Sequence, residues 1–599
     1  MFLCLLATEP SWQWPIDVSK GVTASFGEYR GLRLHMGLDF STGGVEGLPV
    51  KPAQEGRVYR VRSQDNGYGR AVYMEHAGKK VTVYAHLAAF GPKLAAAIKA
   101  AGYNPESSFG TLELKLPLTS ADLLAYTGES GAGLPHFHFE VRQGEEIAVD
   151  PLTLAFPPLQ GTGGKAVVEG FYLEPLTEQS LINNNAVPFF AKPNGAAVRA
   201  SGKIGLRIPA YIAGVRGSRL GCRGLTITSG GKLLASWSPT SIPFSEYRAG
   251  GLVHDQAYSG FSPTVFAYCF DDRADLLAPL SGYKRNHVLD VTARQDLEIA
   301  IMNLAGIWTT FKLALDPEAP LQKARRLPAA PVQVTTLNII AQGDRLYFKG
   351  EEEGTLQLPE TMMGMAPGET QMYRPASGTT AEKVVWKTSG GALSRMVGAL
   401  PAGTEFQYKL GPWVLDAEGL SKLPAIAVFL EPADQKIMAN EITYHSPVLH
   451  FGRPGMPTKG LRASFSAPDP ATHLGIYAWS FTSRKWRHWG ALKDGNSVEL
   501  DYLTPLVIGE DTSKPTISRP RVHKFFTGAR TVIPLSDKGS GIDSATIAVY
   551  QGDKKLNITY DGDRSWIILP KNVGREPFSV DVSDRAGLAN HQDGLSLYK

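Results

Sequence analysis

Histidines are concentrated near the start of the chain: five of the 13 fall within residues 35–138, at positions 35, 76, 86, 136 and 138. In the stretch HFH, His136 and His138 are two residues apart, so on a β-strand both rings point to one face and can converge on one site. In LHMGLDF, His35 and Asp39 are four residues apart, a separation of roughly 13 Å on an extended strand. This segment must therefore bend, and Gly37 supplies the conformational freedom.

His35, Asp39 and one histidine of the HFH pair make a two-histidine, one-aspartate set. Three such ligands suit a tetrahedral zinc whose fourth position stays open, the pattern of catalytic rather than structural sites. The remaining histidine of the pair and His86, from VYAHL, would flank the open position as acid/base or oxyanion partners. The sequence contains no HExxH motif, which excludes the glutamate-based mechanism tied to that motif.

Each of these elements is a weak signal when taken alone. An HxxxD spacing arises by chance in many proteins, and an HxH pair is common on half-buried strands. His76 and His86 are also compatible with ordinary core or surface histidines. The residues alone therefore leave the choice between a metal site and structural histidines open.

The candidate residues lie in a segment, residues 12–156, made of short strand-like runs separated by Gly, Asn and Pro. RVYRVR, RAVYMEH, KVTVYAHL and HFHFEVR predict a compact antiparallel sheet. One interruption, residues 92–104 (PKLAAAIKAAGYN), has helical propensity and a glycine stop. We expect this helix on the outside of the sheet.

The length of 599 residues predicts several domains, and 63 Gly with 41 Pro favour a mainly β, multidomain protein. Residues 12–160 form the first predicted domain, followed by a β-sandwich at 166–317 and two β domains at 332–431 and 432–509. The strand alternation and turn spacing of residues 517–599 are typical of an Ig-like β-sandwich. In that last unit, the aspartates of SDKGSGI and DVSDRAGLAN are explained better by Asx-turns than by calcium binding.

Bulk properties exclude several classes. A net charge of +4 over this length is too dilute for a nucleic-acid-binding surface. No apolar run of 18 residues occurs, so no transmembrane helix is expected. Three cysteines, Cys4, Cys222 and Cys269, exclude a disulfide-dense scaffold, and a Cys222–Cys269 bridge and two separate buried thiols remain alternatives. Residues 1–11 resemble the remnant of a secretory signal peptide, with a buried strand as the alternative.

The ordered motifs HMGLDFST, PVKPAQEGRV, NGYGRAVYMEH, VTVYAHL, YTGESGAGLPHFHFEVR and AVDPL resemble, over residues 12–156, the M23 (LytM/lysostaphin-type) zinc metallopeptidases. The resemblance implies that His35, Asp39 and His138 are the zinc ligands and that His86 and His136 are the two catalytic histidines. His76 matches a position better interpreted as structural. The implied activity is hydrolysis of peptide bonds in peptidoglycan stems or cross-bridges, in a periplasmic or extracellular bacterial protein.

Other functions remain as alternatives. A non-enzymatic M23-like module could regulate another cell-wall hydrolase, although such relatives usually lack a ligand or catalytic histidine and all five positions are filled here. In the third hypothesis, residues 166–599 make the protein a surface scaffold or adhesin. In every case the C-terminal β domains are expected to offer surfaces to cell-envelope proteins.

Overall fold

The computed structural model describes residues 12–19, 21–159, 163–259, 266–270, 281–285, 289–322, 337–378, 381–432, 442–465, 473–481, 483–491, 497–571 and 573–597. The described chain is mostly β and is divided among several sheets, as the composition predicts. Its α-helices are α1 (Pro92–Ala100), within the predicted helical segment, and the short α2 (Gln256–Ser259). Short 3-10 turns occupy Ala77–Lys79, Pro151–Thr153, Val215–Gly217, Phe244–Glu246 and Ala249–Leu252.

The first part of the chain builds the predicted antiparallel sheet. Strands β1 to β11 are, in order, Val22–Ala24, Leu38–Ser41, Pro49–Val50, Gly56–Ser63, Arg70–Glu75, Lys80–Ala85, Leu87–Phe90, Gly110–Leu118, Ala125–Thr127, His136–Gln143 and Ile147–Val149. The hydrogen-bonded order of this sheet is β1-β2-β10-β6-β5-β4-β8, and β10 also pairs with β11. A small second sheet has the order β3-β9-β7.

Strand β10 carries HFHFEVRQ through the middle of this sheet, between β2 and β6. Because side chains alternate along a strand, Phe137 and Phe139 share the face opposite the two histidines. Both phenylalanines are completely buried in the hydrophobic core. The apolar face thus anchors the strand and holds the imidazole face in a fixed position.

The middle of the chain continues as antiparallel sheets. Strands β12 to β25 are Ala166–Val168, Phe171–Pro175, Leu181–Ile182, Phe189–Ala191, Ala200–Ala213, Arg219–Leu220, Gly224–Ser229, Lys232–Trp237, Ser241–Pro243, Phe266–Phe270, Tyr283–Arg285, Asp290–Val291, Gln295–Met302 and Trp308–Leu315. Strand β20 pairs with β11, which extends the first sheet into this region. Buried side chains from Trp12 to Leu315 form one continuous hydrophobic cluster, so the two regions share a core.

A ten-stranded sheet dominates the next region, with three- and four-stranded sheets beside it. Strands β26 to β42 are Leu337–Gln342, Arg345–Gly350, Gly354–Gln357, Met362–Met365, Thr370–Tyr373, Glu382–Thr388, Gly391–Leu400, Gly403–Leu410, Trp413–Leu423, Ile426–Glu431, Ile442–Tyr444, Val448–Phe451, Pro457–Phe465, Leu474–Ser480, Lys485–Ala491, Ser497–Tyr502 and Leu506–Asp511.

The last part of the chain pairs a five-stranded sheet with a four-stranded sheet around a separate core. Its strands β43 to β51 are Thr516–Ile517, Arg521–Phe525, Gly528–Ser536, Ile542–Gln551, Lys554–Lys555, Thr559–Asp561, Trp566–Ile568, Phe578–Asp584 and Ala589–Leu595. These strands and the loops between them form the C-terminal unit.

Several expectations concern residues that the structure does not describe. The signal-peptide remnant at residues 1–11 lies outside the described residues, as do Cys4 and the side chain of Cys269. Cys222 carries a free thiol and is buried. In the described part of the chain, no helix combines the length and apolar character needed to cross a lipid bilayer.

Candidate metal centre and active-site cleft

The register of the first sheet brings the predicted ligands together. His138 on β10 lies directly opposite Asp39 on β2 and opposite Ala85 on β6. His35 lies in the turn that leads into β2. All three predicted ligands, His35, Asp39 and His138, are at least 95% buried.

The chain bends between His35 and Asp39, as expected. Gly37 is needed there, but for a different reason from the one predicted. The φ angle of Gly37 is not in the left-handed region. A Cβ on this residue would lie 2.4 Å from the carbonyl oxygen of Phe139 and 2.8 Å from Cγ of Glu140. Glycine is therefore needed here for close approach to β10 rather than for backbone freedom.

Three ligand atoms converge at the centre of the site. Nε2 of His35 lies 3.0 Å from Nδ1 of His138 and 3.2 Å from Oδ1 of Asp39. Nδ1 of His138 lies 2.7 Å from the same carboxylate oxygen. The three side chains can thus offer one ligand atom each to a single metal ion.

Hydrogen bonds on the outer side of each ring fix which nitrogen faces the centre. Nδ1 of His35 lies 2.8 Å from the carbonyl oxygen of Ser25, which can only accept, so Nδ1 carries the proton. Nε2 of His138 lies 2.8 Å from Oε1 of Glu140. Burial disfavours the charged form of Glu140, but Arg142 and the His138 ring outweigh it and hold its pKa at about 2. Glu140 therefore accepts a hydrogen bond from Nε2 of His138, which keeps its proton, and Nδ1 faces the centre.

Arg30 completes the surroundings of Asp39 by binding its second carboxylate oxygen, Oδ2. Burial raises the pKa of Asp39, but the positive charge of Arg30 and the neighbouring imidazoles outweigh it and place the pKa well below its usual value. Asp39 is therefore ionised. Only Oδ1 remains directed at the two histidines.

Protonation of the cluster follows from the same contacts. Burial lowers the pKa of His35 to about 4, with the positive charge of Arg30 acting in the same direction. For His138 burial also opposes the charge, but hydrogen bonds with Asp39 and Glu140 prevail and raise the pKa to about 9. Without a metal ion, the convergent acceptor atoms thus hold one proton on His138, and a cation at the centre would displace it.

His136 and His86 lie beside the cluster and form a pair. Their ring centroids are 4.6 Å apart, and Nε2 of His136 is 3.9 Å from Oδ2 of Asp39. Nδ1 of His86 lies 2.9 Å from the carbonyl oxygen of Ser130, and Nδ1 of His136 lies 2.8 Å from that of Leu134. In both rings Nδ1 therefore carries the proton and Nε2 is available as an acceptor.

The backbone of His86 is unusual. Its φ angle is +58°, in the left-handed region that residues with a side chain rarely adopt. Burial lowers the pKa of His86 to about 3, and the positive charges that His136 and His138 can carry act in the same direction.

His76 takes no part in the cluster. Nδ1 of its ring lies 2.9 Å from the carbonyl oxygen of Glu55, and Nε2 lies 2.7 Å from Oγ1 of Thr82. Both ring nitrogens are therefore engaged by structural hydrogen bonds.

Sequence reasoning did not identify the residues that orient the ligands. Glu140 is fully buried, and its carboxylate also accepts hydrogen bonds from the Tyr68 hydroxyl and, at 2.7 Å, from Nε of Arg142. The available signal was the spacing: Glu140 follows His138 by two positions and so shares its strand face. The contributions of Arg30 and of the Ser25 and Ser130 carbonyls depend on loop conformation and leave no such pattern.

A cleft of about 890 Å³ opens over His86, His136 and His138. Its walls come from distant parts of the chain: Phe244 and Tyr247 follow β20, Arg487 lies on β40, and Asp563 belongs to the C-terminal unit. The cleft is therefore shaped by more than the sheet that carries the histidines.

Known proteins resemble part of the chain. It is 29% identical over 126 residues to the DD-carboxypeptidase/endopeptidase Mpg of Neisseria meningitidis serogroup B and, equally, to that of Neisseria gonorrhoeae. It is 30% identical over 127 residues to an uncharacterized metalloprotease of Haemophilus influenzae. These matches cover 21% of this chain and span 24% and 22% of the relatives, less than a quarter of their length. No family model matches the chain.

Two solved structures also align with part of it. One is a mutant catalytic domain of the prophage-encoded M23 protein EnpA from Enterococcus faecalis, 23% identical, covering 22% of this chain and 87% of that one, with a TM-score of 0.15. The other is a zinc-containing peptidase from Vibrio cholerae, 23% identical, covering 24% and 41%, with a TM-score of 0.17. TM-scores this low do not establish a common fold.

Proposed function

We propose that the protein is a zinc-dependent endopeptidase of the M23 type that hydrolyses peptide bonds in peptidoglycan stems or cross-bridges. The observation that carries the proposal is the convergence of His35 Nε2, Asp39 Oδ1 and His138 Nδ1 within 3.2 Å of one another. Two further imidazoles stand beside these atoms. The partial similarity to a DD-carboxypeptidase/endopeptidase and to a metalloprotease supports the same assignment.

The donor set fits zinc. Two imidazole nitrogens and one carboxylate oxygen are ligands that Zn²⁺ prefers, and ligand atoms around a tetrahedral zinc lie about 3.3 Å apart. The observed separations are 2.7–3.2 Å. A three-residue set leaves a coordination position for substrate or water. When bound, zinc would supply a Lewis acid and lower the pKa of a water molecule to about 7.

His86 and His136 are proposed to move protons and stabilise the oxyanion. His86 is neutral above a pH of about 3, so at neutral pH its Nε2 is an unprotonated hydrogen-bond acceptor. In both rings Nδ1 donates a hydrogen bond to a backbone carbonyl oxygen. Protonation at Nε2 therefore makes both nitrogens of that ring hydrogen-bond donors. A protonated ring can then hydrogen-bond to the developing oxyanion or protonate the leaving amine. Tyr68 and Glu140 keep the adjacent His138 in position.

Residues 12–160 are the catalytic domain in this proposal, and 166–317, 332–431 and 432–509 are β domains followed by an Ig-like sandwich at 517–599. The walls that Tyr247, Arg487 and Asp563 add to the cleft support a role for these domains in substrate selection. Peptidoglycan as the substrate places the protein in the bacterial cell envelope, where the β domains would also meet other envelope proteins.

The test combines zinc analysis with a wall-digestion assay. The wild type is expected to hold one zinc ion per chain and to release peptides from purified peptidoglycan, whereas His35→Ala should do neither. A wild type that holds zinc but releases nothing would point to a regulatory module, and one that holds no zinc would overturn the proposal. His76→Ala is the matched control, since His76 is buried in the same domain outside the cluster.

A further inference from the structure

A second group of acidic side chains lies far along the chain, where the ten-stranded sheet meets the C-terminal unit. Asp511 is the last residue of β42, Asp537 lies in the loop between β45 and β46, and Asp584 ends β50. One carboxylate oxygen of each lies within 4.8 Å of the other two. Asp511 and Asp584 are at least 99% buried and Asp537 is half-buried.

Backbone amides satisfy only part of these carboxylates. Oδ1 of Asp537 and Oδ2 of Asp584 are buried and have no hydrogen-bond partner among the described residues. No salt bridge connects any of the three aspartates to a described lysine, arginine or histidine. The amides that do donate belong to Ser513 and Ser540 for Asp511, to Gly539 and Gly541 for Asp537, and to Leu588 for Asp584.

Tyr477, on β39 of the ten-stranded sheet, provides an independent observation. Its side chain is completely buried, and its hydroxyl has no hydrogen-bond partner among the described residues. Burial raises the pKa of Tyr477, and the negative charges of Asp511, Asp584 and Asp537 raise it further. Tyr477 pairs with Val507 of β42, and its ring lies against Gly509, two positions before Asp511, so the unpartnered hydroxyl is on the face of β42 that carries Asp511.

No salt bridge to a described side chain balances the negative charges of the three carboxylates. Three carboxylates at this distance repel one another, and burial strengthens the repulsion. Buried polar atoms in native proteins nearly always have partners, so two orphan carboxylate oxygens in one cluster, with an orphan hydroxyl on the face that carries Asp511, indicate a missing positive partner.

We propose that Asp511, Asp537 and Asp584 bind one calcium ion that fastens the C-terminal unit to strand β42. All donors are oxygens, the ligands of hard cations. Ca²⁺ accepts flexible sets of carboxylate oxygens, whereas Mg²⁺ demands near-octahedral geometry and is usually held by only one or two carboxylates, so three carboxylates from two strands and a loop favour calcium. Asx-turns account for the loop geometry at Asp537 and Asp584 but not for their orphan oxygens.

Calcium at this position would also control where the C-terminal unit lies relative to the cleft. Only residues 512–515 separate β42 from β43, and Asp511 anchors the chain directly before this connection. Asp563 of the C-terminal unit also accepts a hydrogen bond from Gly133, in the loop before β10, and lines the cleft over His86, His136 and His138. A cation that fixes the angle between β42 and this unit would therefore fix the position of the unit over the cleft.

The test uses the full chain in chelator-free buffer and titrates it with CaCl₂, with MgCl₂ in parallel. We expect one Ca²⁺ per chain, at least about tenfold weaker binding in Asp537→Asn and Asp584→Asn, and no response to Mg²⁺ at the same concentration. The matched control is Asp553→Asn, an exposed aspartate of the same unit outside the cluster. Failure of the wild type to bind at up to about 10 mM calcium, equal binding by Asp537→Asn, or equal binding of Mg²⁺ would each overturn the proposal.

Thermal unfolding separates calcium binding from a merely structural role. Calcium should raise the unfolding temperature of the wild type and Asp553→Asn but not that of Asp537→Asn. In calcium-free buffer Asp537→Asn should unfold at or above the wild-type temperature, because it lacks one of three repelling charges. If the variant is instead destabilised equally with and without calcium, Asp537 acts only through its hydrogen bonds with Gly539 and Gly541, and the proposal is wrong.

Discussion

The amide of Gly133 donates a 2.7 Å hydrogen bond to Oδ2 of Asp563, a residue 430 positions further along the chain. Gly133 belongs to the loop that enters β10 just before His136. At the start of the same loop, Glu129 forms an ion pair with Arg564. The C-terminal unit therefore contacts this loop on both sides of Ser130, whose carbonyl oxygen accepts a hydrogen bond from Nδ1 of His86.

Substitution of Asp563 tests whether the C-terminal unit orders this loop. In Asp563→Ala the amide of Gly133 loses its acceptor, and we expect the peptide covering residues 129–135 to exchange hydrogen about fivefold to tenfold faster. Hydrogen–deuterium exchange with mass spectrometry measures this directly. Asp553→Ala, on an exposed turn of the same unit, should leave exchange of the loop unchanged. Unaltered exchange in Asp563→Ala would show that the two parts of the chain do not dock in solution as described.

Alanine substitutions of the two histidines in HFH should affect zinc binding and activity differently. His138→Ala removes a central ligand atom and should abolish zinc binding. His136→Ala leaves the three convergent atoms in place, so it should retain zinc while lowering kcat/KM by about 10²-fold or more. Zinc content by mass spectrometry and peptide release from peptidoglycan measure the two properties. Loss of zinc in His136→Ala would assign His136 to the metal instead.

The strand geometry at this site could be predicted from sequence because it depends only on alternation. His136, His138 and Glu140 share one face of β10 and Phe137 and Phe139 the other, whatever the rest of the fold does. The pairing of β10 with β2, which sets His138 against Asp39, is a long-range contact that no local pattern encodes. The same is true of Asp563 beside Gly133 and of the three aspartates at Asp511.

Glu140 should control zinc affinity without binding zinc. In Glu140→Gln the neutral amide is a weaker acceptor for Nε2 of His138, and we expect a 10- to 100-fold loss of zinc affinity, the range typical of residues that orient metal ligands. Competition with a chromogenic chelator at pH 7 measures it. Glu145→Gln is the control, because Glu145 is 43% exposed and pairs with Arg60 outside the cluster. An unchanged affinity in Glu140→Gln would show that its role is only to neutralise Arg142.

Arg207 should be a main determinant of stability in the region that shares its core with the first sheet. Its side chain is completely buried, with Nη2 2.8 Å from Oε2 of Glu174 and Nε 3.0 Å from Oδ2 of Asp255, both carboxylates being 3% exposed. Arg207→Ala leaves two buried negative charges without this cation, which typically costs about 3–5 kcal/mol of unfolding free energy. The exposed pair Arg219–Glu169, at 3.4 Å, provides the control, and Arg219→Ala should cost less than about 1 kcal/mol. Urea titrations followed by tryptophan fluorescence measure both, and equal midpoints for Arg207→Ala and Arg219→Ala would contradict a buried ionic centre at Arg207.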